Sequence, residues 1–279
     1  MKINMTIEEL QEKARRMRCH VVRMTHAAGS GHPGGSLSAA DIMAVLWFGG
    51  FMRYRADEPS WKDRDRFVLS KGHAAPILYA AMAEAGYLKE EELLTLRQLD
   101  SRLQGHPDML KLPGVELSAG SLGQGLSVAV GMALGLAMGG GDQKVFCLVG
   151  DGECQEGQIW EATMYAAHQK TDNLIAIIDN NRYQIDGAVN DICRVEDLAS
   201  KFEHFGWLVW EVDGHNVEAL LQTLKAAVSL SGQPGPRAII AHTVKGKGVS
   251  FMENTAAWHG KAPNAEECER ALADLGVST

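Results

Sequence analysis

Short, continuous apolar runs alternate with longer mixed stretches along this chain. Arg66–Ser70 (RFVLS), Val145–Val149 (VFCLV), Leu174–Ile178 (LIAII), Trp207–Val212 and Arg237–Ala241 have the length and composition of buried strands. Between them lie segments with helical signals. Thr6-x-x-Glu9 forms a capping pattern that opens a helix running to about Ala28 and ending at Gly29. Ser38-x-x-Asp41 repeats the pattern before AADIMAVLWF. Helices are also expected over 75–85, 90–99, 123–138, 158–169, 195–205 and 216–229, with loops over Gly29–Leu37 (GSGHPGGSL) and Lys71–His73. The run from Leu126 to Met138 is too short to span a bilayer and is broken by Gly131 and Gly135, so it reads as a buried helix. Runs that are apolar on both faces and alternate with helices predict an α/β fold with a doubly wound, mainly parallel sheet. No shift in composition marks a second domain, so residues 1–279 read as one.

Composition narrows the function. Hydrophobic residues make up 46% of the 279 positions and charged residues 22%, which excludes a disordered chain. The net charge is −8 with no basic stripe, which argues against binding nucleic acid through its phosphates. The five cysteines are odd in number and lack CxxC spacing, so neither a disulfide framework nor a zinc site is expected. Met1–Thr6 has no apolar core of the signal-peptide kind, and a cytoplasmic protein with no membrane association is the expectation.

Parallel sheets bind ligands at the carboxyl ends of their strands. Gly150-Asp151-Gly152 and Asp179-Asn180-Asn181 each follow an apolar run, and Asn181 lies 30 positions beyond Asp151. If those strands are neighbours, a carboxylate and an amide oxygen converge. That pair suits Mg²⁺ (or Ca²⁺ or Mn²⁺) completed by phosphate oxygens and water. The flanking glycines let a diphosphate approach the backbone. A lone GDG also serves as an ordinary strand-end turn. Four of the ten histidines, His32, His73, His106 and His259, stand in glycine-rich or turn contexts where an imidazole is readily aimed at a ligand. The remaining six read as core or surface residues, and Cys154 reads as structural.

The GDG…NN pair resembles the thiamine diphosphate motif. Gly31-His32-Pro33-Gly34-Gly35, Ser70-Lys71-Gly72-His73-Ala74, Gly105-His106-Pro107, Gly123-Gln124-Gly125 and the stretch from Gly150 to Gly157 resemble, in the same order, the pyrophosphate-binding domain of the transketolase family. The resemblance covers about residues 8 to 262. It implies a thiamine diphosphate-binding fold and transfer of a two-carbon ketol unit from a ketose phosphate to an aldose, as in pentose phosphate metabolism. It also implies roles: Asp151 and Asn181 as metal ligands with the Tyr183 carbonyl; His73 and Gly152 at the diphosphate; Gly120, Leu122 and Ile185 along the cofactor; Glu156 as a buried acid near a subunit interface. His32, His106 and His259 would handle substrate oxygens and protons. Glu156 equally suits a helix N-terminus. Lys245-Gly246-Lys247-Gly248 reads either as a loop closing on a diphosphate or as a solvated turn.

Transketolases continue into pyrimidine-binding and C-terminal domains with no counterpart in these 279 residues. The resemblance is thus to the N-terminal subunit of a split enzyme. It implies a partner chain carrying the pyrimidine-binding domain and its catalytic glutamate, an α2β2 heterotetramer, and no ketol transfer by this chain alone. A specialised donor such as a sulfonated or branched sugar, a 2-oxo acid dehydrogenase α subunit, the N-terminal part of deoxyxylulose phosphate synthase and a non-catalytic cofactor-binding module are the alternatives.

Overall fold

The computed structural model describes residues 5–229 and 233–277; the reading of the extreme N-terminus rests partly on residues 1–4, outside that range. The chain opens with α1 (Ile7–Ala28), α2 (Pro33–Ser38) and α3 (Ala40–Phe48), then β1 (Arg66–Leu69), α4 (Ala75–Glu84) and α5 (Gln124–Met138). It continues through β2 (Val145–Gly150), α6 (Gly157–His168), β3 (Leu174–Asn180), α7 (Val189–Ile192), α8 (Leu198–His204), β4 (Leu208–Asp213), α9 (Val217–Ser229), β5 (Arg237–His242) and α10 (Ala265–Asp274). The five strands form a parallel sheet in the order β1-β2-β3-β5-β4. β2 and β3 are therefore neighbours, with Gly150 opposite Asp179.

Strand geometry explains why the runs are apolar throughout. Successive side chains point to opposite faces, and in β2, β3 and β5 both faces are covered, whereas the edge strand β4 is half-exposed and carries Glu211. Phe146, Leu148, Ile175, Ile177 and Ile239 enter one core with α1, α3, α4 and α9. Val145, Cys147, Val149, Ala176, Ile178 and Ile240 enter the other with α5, α6 and α8.

The N-terminal cap forms as expected: the Thr6 hydroxyl accepts from the Glu9 amide, the Glu9 carboxylate accepts from the Thr6 amide, and Gly29 closes α1 in the left-handed conformation. Other local expectations yield to tertiary contacts. The glycine-rich segment after His32 is not all loop: Pro33 starts the short, buried α2. Ser38 and Asp41 form no capping box, because the Ser38 hydroxyl turns to Asp179 and the Asp41 carboxylate pairs with Arg18 and His215. Glu90–Thr95 is a 3-10 turn instead of a longer helix. Helix α5 is buried along one side only, and Gly131 and Gly135 face open space. Helix α10, which the strand-and-helix alternation did not predict, is held by an Asn264–Glu267 capping box. Among the described residues no helix is long and apolar enough to cross a membrane.

Candidate active site

The loops leaving β1, β2, β3 and β5 emerge at the same edge of the sheet, because all strands run parallel. Together with the start of α2 they enclose a cavity of about 330 Å³. Its walls include every sequence-predicted site residue: His32, His73, His106, Gly120, Leu122, Asp151, Gly152, Glu156, Asn181, Tyr183, Ile185 and His259.

The GDG turn is held from beneath. Glu153, buried at 3% exposure, accepts from the Gly150 and Gly123 amides, each at 2.9 Å, and from the Ser70 hydroxyl at 2.5 Å. One carboxylate thus ties β1, the α5 N-terminus and β2 together. Beside it the Asp151 carboxylate accepts from the Gly152 amide at 2.7 Å and from the Arg182 amide. Burial, with Asp179 nearby, pushes Asp151 up to about 7. A buried acid beside a second carboxylate is stabilised in its charged form by a cation. The Asn181 side-chain oxygen accepts from the Tyr183 amide at 3.1 Å, and the Tyr183 carbonyl accepts from the Lys245 ammonium at 3.2 Å. Carboxylate, amide oxygen and carbonyl are hard donors, which fits magnesium-like ions better than zinc.

Four histidines cluster in the same cavity, joined to the Tyr183 carbonyl through Lys245. His73 stacks on His259 with centroids 4.9 Å apart, and His32 lies 5.4 Å from His73, 5.5 Å from His259 and 6.2 Å from His106. Burial is the largest cause lowering all four pKa values, helped by Arg97, Lys71, Lys245 and the other imidazoles. His32 falls to about 4 and His259 to about 3. These rings are neutral at pH 7, each offering one N–H and one acceptor nitrogen. His32 Nδ1 is buried and has no hydrogen-bond partner among the described residues. A polar atom left so at a cavity wall is suited to a ligand hydroxyl or carbonyl.

The structure decides between the two readings of the Lys245 loop. Lys245 is no solvated turn: it is 1% exposed, and its ammonium lies 2.7 Å from His259 Nδ1. Burial and the charge of Lys71 lower it to about 8. Glu156 is exposed on the cavity rim at the N-cap of α6. Sequence reasoning passed over Lys71, Asp179 and Glu153, all charged and at most 3% exposed. Their signal was available: each stands within or beside an apolar run or glycine word, where an unpaired charge would be costly. The histidines set aside behave as structural groups. His215 accepts from the Val244 amide and donates to Asp41, and His26 bonds the Pro263 carbonyl. Cys154 is wholly buried, and burial pushes its thiol well up.

The family model for the thiamine diphosphate binding domain of transketolase matches residues 10–279. Transketolase-like protein 2 of Bos taurus is 46% identical over 268 residues, covering 96% of this chain and 42% of the relative. Human transketolase is 44% identical over 270 residues, again covering 42% of its length. This chain thus spans less than half of those relatives. A protein from Phocaeicola vulgatus, named as one subunit of an apulose-4-phosphate transketolase, is 40% identical over 271 residues, covering 97% of this chain and 95% of that one. Among solved structures, Campylobacter jejuni transketolase superimposes with a TM-score of 0.92 at 36% identity, covering 98% of this chain and 44% of that one.

Proposed function

The chain belongs to the transketolase family, as its thiamine diphosphate binding domain, and from that premise we propose that it is the cofactor-diphosphate half of a two-chain transketolase. The observation that carries the reading is one cavity joining a cation-ready group, Asp151, Asn181 and the Tyr183 carbonyl, to four neutral histidines. Similarity end to end with a chain whose name makes it one subunit of a transketolase supports the two-chain form.

In this reading Asp151, Asn181 and the Tyr183 carbonyl hold Mg²⁺ or a similar divalent ion. Gly152 offers its backbone to the cofactor diphosphate; a Cβ there would stand 3.2 Å from Gln184 Cβ, so the space belongs to a close approach. His73 and Lys245 stand on the same cavity wall as donors for anionic oxygens. When bound, thiamine diphosphate supplies the carbanion chemistry that breaks and makes the carbon–carbon bond. His32, His106 and His259 bind sugar hydroxyl and carbonyl oxygens. Being neutral, each ring exchanges a proton without first losing one to solvent. The donor is a ketose phosphate and the acceptor an aldose. The pyrimidine-binding domain and its glutamate come from a partner, two copies of each chain making a heterotetramer.

Titrating thiamine diphosphate into the protein with and without Mg²⁺ tests the reading. The wild type is expected to bind it in a metal-dependent manner and Asp151→Ala to lose that dependence. Equal binding by both would remove the metal assignment.

A further inference from the structure

Asp179 lies at the end of β3, fully buried and ion-paired with the Lys71 ammonium. Its neighbours come from several of the segments that support the site. The carboxylate accepts from the Ser38 hydroxyl at the end of α2, 2.6 Å away, from the Lys71 ammonium after β1, and from the Thr243 hydroxyl after β5. The fourth donor is the Asn181 side-chain nitrogen at 3.3 Å. Those segments bring His32, His73, Asn181 and Lys245 to the cavity.

We propose that Asp179 is a positioning residue that fixes which end of the Asn181 amide faces the metal. This rests on the ligand role given to Asn181 above. The argument is one of hydrogen-bond polarity. An ionised carboxylate only accepts, so it selects the NH₂ end of the amide. The Ser38 proton is committed to Asp179 or to the Gly35 carbonyl, so toward Asn181 the Ser38 oxygen can only accept, and the Asn181 nitrogen lies 3.2 Å from it. The Tyr183 amide, a donor, meets the Asn181 oxygen at the other end. All three contacts demand the same orientation, which keeps the oxygen toward the Tyr183 side of the cavity. Lys71 plays a different part. Its ammonium, donating also to Gly35 at 2.7 Å, compensates the buried charge of Asp179, and among the described residues its hydrogen bonds go to Asp179 and Gly35 and not to Asn181. Charge compensation and amide orientation are therefore separable by mutation.

The test uses Lys71→Met as background, so that no buried lysine is left unpaired when Asp179 changes. K71M, K71M/D179N and K71M/D179L are compared, each with the partner chain present, by thermal melting and by Mg²⁺ titration of thiamine diphosphate binding. D179N keeps an oxygen that can accept from Asn181 and Ser38, with Thr243 rotating to accept in turn. D179L keeps the bulk and loses every acceptor. The expected result is metal affinity at least tenfold weaker for K71M/D179L than for K71M/D179N, the scale of outer-shell losses at metal sites. K71M itself should melt lowest, because its buried Asp179 charge is left unpaired. Equal metal affinity in the two double variants, or a difference that only follows their melting midpoints, would overturn the proposal. A wild type that, with its partner chain present, binds no thiamine diphosphate with Mg²⁺ would instead overturn the functional reading itself.

Discussion

Replacing Asp151 by Asn should stabilise the metal-free protein while destroying its metal dependence. Burial and the adjacent Asp179 raise Asp151 from an ordinary 3.8 to about 7. An acid with a raised folded value binds its proton more tightly when folded. It costs folding nothing below its unfolded value, and the full amount once the pH passes the folded value. A shift of about 3 units at ~1.4 kcal/mol each makes that cost about 4 kcal/mol at pH 8 and roughly 0.5 kcal/mol at pH 4. Asparagine carries no charge at either pH. It gives up one of the two backbone bonds that the carboxylate accepts from Gly152 and Arg182, worth about 1 kcal/mol. The net gain at pH 8 is about 2 to 3 kcal/mol. At roughly 2.1 cal/mol/K per residue, that is a rise of about 3 to 5 °C in a chain of this length. Thermal melts in a chelator at pH 4 and pH 8 measure it. Asp151→Asn should melt higher than wild type at pH 8 and no higher at pH 4. With Mg²⁺ and thiamine diphosphate present the order at pH 8 should reverse, since a ligand stabilises only the form that binds it. A variant no more stable than wild type at pH 8 without metal, or an advantage that ignores pH, would refute the reasoning.

Other expectations follow from close packing and charge. In Gly125→Ala the new Cβ would stand 2.4 Å from Ser70 Oγ and 2.6 Å from Ser70 Cα, so α5 must retreat from the end of β1. The loss should be about 2 kcal/mol in denaturant unfolding, and unchanged stability would contradict the packing. His32 and His259, at about 4 and about 3, should show neutral ¹⁵N signatures at pH 6. Because the folded state then binds fewer protons than the unfolded one, both weaken stability as pH falls from about 6.5 toward 4. Imidazolium signals at pH 6 would contradict this. Lys245→Met should weaken thiamine diphosphate binding at least tenfold at pH 7, as expected for one lost charge-assisted contact of about 1.5 kcal/mol. At pH 9 the difference should shrink, because Lys245 itself loses its proton near 8.

The strands were legible because a sheet covered on both faces leaves no room for polar positions: Val145–Val149 and Leu174–Ile178 needed only their apolar continuity. The site was legible where glycine words mark backbone that a ligand must approach, as at Gly150–Gly152. Contacts made across the fold were not. Ser38 and Asp41 carry a sound local capping signal, but Asp179, Arg18 and His215, distant in sequence, take both side chains. The sequence left Lys245 between a loop closing on a ligand and a solvated turn, because lysines in glycine turns are common on surfaces. Its burial depends on α2 and the segment before Pro263 closing over it, with Gly34 so near that a Cβ would stand 3.1 Å from Lys245 Cε. Lys71 and Asp179 compensate one another across the ends of β1 and β3, a pairing that only the sheet order reveals.

The most direct test is to isolate the tagged chain from its own cells with whatever accompanies it in equal amount, and to assay two-carbon transfer from ketose phosphates to aldoses with Mg²⁺ and thiamine diphosphate. The account predicts that a chain carrying a pyrimidine-binding domain comes with it, and that the pair transfers the unit while Asp151→Ala in the same pair does not. A chain that arrives alone and transfers the unit unaided, or a pair whose activity survives Asp151→Ala, would contradict it.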